Sequence, residues 1–261
     1  MDLSAGRQYI VSARLRGRVG TLPSRRQVLM NFRELLSALP YVKETETGTL
    51  DMWSVQPTGH YNTDVQRGRA FAALSLHIMR ENDAPFLLAH VLDSWMGTPA
   101  SHLSLQTGFC LELADAVIAG DPNDAILVPT HPHSFKDMPL REAMLRLPFV
   151  REKPDGTLDT FVVSLSGDSS ARQDRGRFHG ALACKYLMDT GCNTLFAHMN
   201  EIAVYNPEYA EHGAPYRVGM ASAVAQVAIS GNSRATIHQR AMCPFYREIA
   251  ENPTGRATQV V

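Results

Sequence analysis

Apolar residues fall at every second position from Tyr9 to Leu15 (Tyr9, Val11, Ala13, Leu15), with Arg14 and Arg16 on the alternate face. This pattern predicts a strand with a basic outer face. After a turn over 17–23, Ser24 is placed to cap a helix through about Ala38, whose stripe is Val28, Leu29, Phe32, Leu35 and Leu36. Pro40 stops that helix, and two short β-type runs around Thr47-Gly48 read as a hairpin. A polar loop, Gln56 to Asp64, leads into Arg67-Gly68-Arg69 and a helix to about Asn82. The apolar run Pro85 to Leu92 fits a buried strand or a helix, and the strand reading is preferred because it completes a β-α-β-β-α-β order. A further helix, capped by Thr98 or Ser101, ends at Gly120.

The same pattern is then written a second time. At an offset of 108 residues, Arg33–Ser94 aligns with Arg141–Ile202 without a gap, and about 20 of the 62 pairs are identical, where composition predicts roughly 4. Leu39 to Val55 returns as Leu147 to Val163, Arg67-Gly68-Arg69 as Arg175-Gly176-Arg177, and Ala89-His90 as Ala197-His198. Beyond this block the offset grows by three, so that Gly108 and Gly120 face Gly219 and Gly231. A fragment of a third copy, Cys243 to Glu248 with Gln259 to Val261, closes the chain. The expected fold is therefore α+β: a tandem duplication of a roughly 110-residue ferredoxin-like module with an added helix. The expected divisions are 1–122 and 123–232 as two lobes, with 233–261 as a partial repeat that completes a sheet.

Composition narrows the class without naming a function. With 261 residues, 44% hydrophobic and 20% charged, the chain is an ordinary globular one, and its net charge of -1 gives no global pull toward nucleic acid or membrane. Locally, seven arginines stand against Asp2 alone in the first 33 residues, a charge of about +6. Cys110, Cys184, Cys192 and Cys243 form no CxxC pair and read as reduced interior residues of a cytoplasmic protein. No apolar run is long and uncharged enough for a membrane span or a signal core.

Three groups of residues carry candidate chemistry. The two Arg-Gly-Arg triplets are expected at helix starts, where free N–H groups and the helix dipole favour an anion, so Arg67, Gly68, Arg69, Arg175, Gly176 and Arg177 join Arg14 and Arg16 as ligand-binding candidates. The alternative is that the glycines ease packing while the arginines pair with acids such as Asp64 or Asp174. Acetyl-CoA-dependent acyltransferases carry a Q/R-x-x-G-x-G/A loop at such a place; Gln173–Phe178 keeps the leading Gln and Val65–Ala70 the small end, so each copy holds half of that pattern. His131 and His133 are spaced to reach one metal ion at a strand end, with Asp137, His198 or Glu201 to complete the site, against the reading of an ordinary polar loop. His90 and His198, at equal places in the two copies, are candidate acid–base partners across a lobe interface or, alternatively, core histidines.

From these residues the leading expectation is an anion-recognising binding protein for nucleic acid or a phosphate-bearing ligand. One alternative is a small-molecule enzyme, either acyltransferase-like with a CoA or nucleotide cofactor or a metal-dependent hydrolase using His131 and His133. The other is a non-catalytic subunit of a homo-oligomer or larger assembly.

Overall fold

A computed structural model describes residues 32–120 and 134–230. In chain order its elements are α1 (Phe32–Ser37), β1 (Lys43–Glu44), β2 (Leu50–Asp51), α2 (Tyr61–Asn82), α3 (Leu87–Ser94), a 3-10 turn (Ala100–His102) and α4 (Leu103–Ile118). Then follow α5 (Leu140–Leu145), β3 (Arg151–Glu152), β4 (Leu158–Asp159), α6 (Ser169–Thr190), α7 (Leu195–Val204), α8 (Pro207–His212) and α9 (Ala214–Ser230). The starts of α5, β3, β4, α6 and α7 lie 108 residues after those of α1, β1, β2, α2 and α3, and α9 starts 111 after α4. Two of the extra three residues lengthen α7 relative to α3, and the third falls in the 205–213 connection, which holds α8.

This architecture overturns the α+β, ferredoxin-like expectation. The described residues are 62% helix and 4% strand, and their strands form two isolated two-stranded hairpins. The decisive segment is Pro85 to Leu92, preferred above as a strand, which is instead largely α3. Leu87, Leu88 and Val91 are fully buried while His90 is exposed, a spacing of one helical face and not of alternate strand faces. The expected strands over 9–15 and 124–129, the boundary at 122/123 and the partial repeat over 233–261 lie outside the described residues.

Each hairpin is short because its turn absorbs most of it. Lys43 pairs with Asp51 and Glu44 with Leu50, Gly48 takes φ 77°, and the second copy repeats this with Arg151–Asp159, Glu152–Leu158 and Gly156 at φ 81°. Left-handed backbone there favours glycine. In both copies one arginine ties the hairpin to the preceding helix. Arg33 Nη2 donates to Glu44 Oε1 (2.7 Å) and to the Gly48 carbonyl (2.6 Å), and Arg141 does the same to Glu152 (2.7 Å) and Gly156 (2.7 Å). Beyond the ladder, Trp53, Val55 and Phe161 turn inward as buried anchors under the helices.

The long helices pair through their glycines. A β-carbon on Gly68 of α2 would lie 2.0 Å from the Leu105 carbonyl oxygen of α4, and one on Gly108 of α4 would lie 2.0 Å from the Val65 oxygen of α2. In the second half, α6 and α9 meet in the same way, Gly176 against Tyr216 (2.1 Å) and Gly219 against Gln173 (2.0 Å). The halves then interleave: α3 packs on α9, α7 packs on α4, and α4 and α9 touch each other at the centre. Arg217 of α9, 7% exposed at its side chain, reaches Asp93 of α3 through Nε (2.8 Å) and Nη2, and donates Nη1 to the Tyr209 carbonyl (2.6 Å). Arg80 of α2 donates to the Ala228 and Ile229 carbonyls near the end of α9, where a cation suits the helix dipole.

Candidate functional site

The Arg-Gly-Arg triplets lie one turn or more inside α2 and α6, and not at the helix starts where free N–H groups would be. Their glycines make the helix crossings described above, and their guanidiniums bond to the protein itself. Arg67 Nη1 donates to the Gln56 carbonyl (2.9 Å) and to Asp64 Oδ1 (3.1 Å), while Arg69 Nη1 meets Glu112 (3.0 Å) and Asp115 (2.9 Å) of α4. Arg175 Nη1 donates to the Ser164 and Ser166 carbonyls, and Arg177 pairs with Asp174 at 3.6 Å. Among the described residues nothing supports an anion or nucleic-acid site at these triplets; Arg14 and Arg16 lie outside them. So do His131 and His133. Asp137 is exposed in left-handed backbone at φ 64°, and among the described residues no three His, Cys, Asp or Glu side chains gather as a metal site would require.

His90 and His198 do not meet. The His90 ring, open on its outer side, packs against Phe32, 5.0 Å between centroids; this partial desolvation draws its pKa below the ordinary value, and Asp93 opposes that shift. His198 lies on α7 and faces a cleft of about 770 Å³ between the halves.

Three walls form this cleft. The first is the loop leading into α2 and its opening turn: Gln56, Pro57, Gly59, Tyr61 and Asp64. The second comes from the 3-10 turn and α4, with Ala100, Ser101, Leu103, Ser104 and Thr107. The third, from the other half of the chain, is Thr194 together with Ala197, His198 and Glu201 of α7. The first wall is rigid because Asp64, 1% exposed, gathers the loop onto the helix. It accepts from Thr58 N (3.0 Å), Thr58 Oγ1 (3.0 Å), Gly59 N (3.2 Å) and Arg67. Burial alone would raise the Asp64 pKa, but these donors outweigh it and hold the carboxyl below its ordinary range.

Below the second wall, Gln106, 1% exposed, donates to Thr98 Oγ1 (2.8 Å) and accepts from Asn200 Nδ2 (3.2 Å), locking α4 to α7 through a neutral pair. The hydroxyls of Ser101, Ser104 and Thr107 make no hydrogen bond to described residues and line the cleft as available donors and acceptors. Their spacing of three places them on one helical face and was visible in the sequence. That this face opens onto a cleft depends on α7, 90 residues and more along the chain. A second pocket of about 70 Å³, walled by Leu92, Phe161, Phe196 and Met220 among others, lies in the apolar seam between the halves.

Comparisons with protein-family models, with curated proteins and with solved structures found no match.

Proposed function

We propose that this protein binds a small polar molecule in the cleft between its two halves. The observation that carries the reading is the cleft itself: about 770 Å³, within the range of small-molecule sites, and lined by polar side chains from both halves of the chain. Open hydroxyls on one wall, a loop tied down by Asp64 on another, and His198 with Glu201 on the third suit oriented hydrogen bonding to one ligand.

The test is a thermal-shift screen of the full chain with nucleotides, CoA, amino acids, amines and sugars, repeated on Ser104→Trp. A ligand at 100 times its Kd raises stability by about 2.7 kcal/mol, so a clear rise in Tm is expected. Loss of that rise in Ser104→Trp, with its ligand-free Tm preserved, supports the cleft. Ligand shifts that survive Ser104→Trp, or a screen with no shift, overturn it.

A second reading, chemistry at the same place, is favoured by His198 and Glu201, three residues apart on α7 and both lining the cleft. It predicts turnover of the bound compound that His198→Ala abolishes while binding persists.

A further inference from the structure

We infer that the cleft is built for a cationic ligand, a small molecule bearing an ammonium or amidinium group, with Glu201 as its counter-charge. The inference rests on the cleft-binding reading above and adds the class of ligand.

The charge inventory of the lining is one-sided. Among the described residues that line it are two carboxylates, Asp64 and Glu201, and the imidazole of His198, but no lysine or arginine. Asp64 is already committed to four donors, including the Arg67 guanidinium. Glu201 is exposed, lines the cleft, and has no hydrogen bond or ion pair to any described residue.

The other half of the chain supplies an internal comparison. At the 108-residue offset Glu201 corresponds to Asp93, and the His198-x-x-Glu201 pair to His90-x-x-Asp93. Asp93 is ion-paired with the buried Arg217. At the 111-residue offset of the last helix, Arg217 corresponds to Gln106. Gln106 is neutral, and its amide is spent on Thr98 and Asn200, so α4 offers Glu201 no cation where α9 offers one to Asp93. At the cleft the carboxylate is kept without the internal guanidinium, and the space beside it is open. An incoming ammonium would supply the missing charge through a charge-assisted hydrogen bond, stronger than a neutral one. Tyr61, 60% exposed on the first wall, adds an aromatic ring, a group that attracts cations.

The experiment titrates the full chain with tyramine, phenethylamine and isoamylamine, each beside its uncharged N-acetylated form, by isothermal calorimetry. Wild type, Glu201→Gln and Ser104→Trp are compared. At least one amine is expected to bind, at least tenfold more tightly than its acetylated form and at least tenfold more weakly to Glu201→Gln, whose ligand-free Tm should match wild type. Equal binding of amine and acetylated probe, or an affinity unmoved by Glu201→Gln, overturns the charge assignment. In that event loss of the same binding in Ser104→Trp still supports the cleft, which separates the two readings. Failure of all three amines to bind overturns the inference, while the wider ligand screen judges the cleft by itself.

Discussion

His179 stands where the first half has Phe71, and the exchange makes one buried position sensitive to acid. Its Nδ1 lies 2.8 Å from the Tyr216 hydroxyl, and its ring packs on Phe149 at 5.2 Å. Burial, helped by the Arg175 charge, pushes its pKa from 6.5 down to about 4. The unfolded chain therefore takes up a proton between those values that the folded chain refuses. Stability is complete above about pH 6.5 and is lost as pH falls toward 4, by up to about 3 kcal/mol. Urea unfolding of wild type from pH 4 to 7 should show that slope. Replacing both partners, His179→Phe with Tyr216→Phe, removes the titrating group without orphaning a hydroxyl and should flatten it; an unchanged slope would assign the acid sensitivity elsewhere.

At the scale of elements, two sets of repeated arginines act as internal fastenings. Arg33 and Arg141 recur because each clips a helix to the carbonyl at its hairpin turn. The Arg-Gly-Arg triplets recur because each glycine lets two helix backbones touch while the arginines bond to acids and carbonyls nearby. Motif and spacing were legible, and packing glycines with acid-paired arginines was one of the two readings they offered; the choice was not, because an anion site and a helix crossing ask for the same residue types until the facing carbonyl is known. Gly68→Ala and Gly176→Ala should each cost roughly 3 kcal/mol or more, since a contact near 2 Å is relieved only by parting the helices. Gly97→Ala, which meets open space but sits at φ 79°, should cost nearer 1 kcal/mol. Chemical denaturation of the three variants checks the ranking.

For the whole molecule, the interleaving of α3 with α9 and of α7 with α4 matters more than either half alone. Leu87, Leu88 and Val91 are fully buried, with α9 packed against their helix, and Phe196 and Met199 lie in the seam where α7 meets α4. Fragments 1–122 and 123–261, expressed apart, should each lack a cooperative thermal transition and regain one when mixed. A cooperative transition in either fragment alone would show that it carries a self-sufficient core.

Sequence alone determined what depends on neighbours along the chain: the helix periods, the glycine turns at Gly48 and Gly156, and the correspondence of positions between the two halves. The helical state of α3, the commitment of the Arg-Gly-Arg triplets to internal bonds and the existence of the cleft were decided only by tertiary structure. Each of these turns on a surface supplied from far along the chain. Eight apolar and polar residues satisfy a strand or a helix equally until a partner helix chooses which of them to cover. A carboxylate such as Glu201 carries the same charge in any sequence, and only the neutral Gln106, brought beside α7 by folding, leaves that charge open to a ligand.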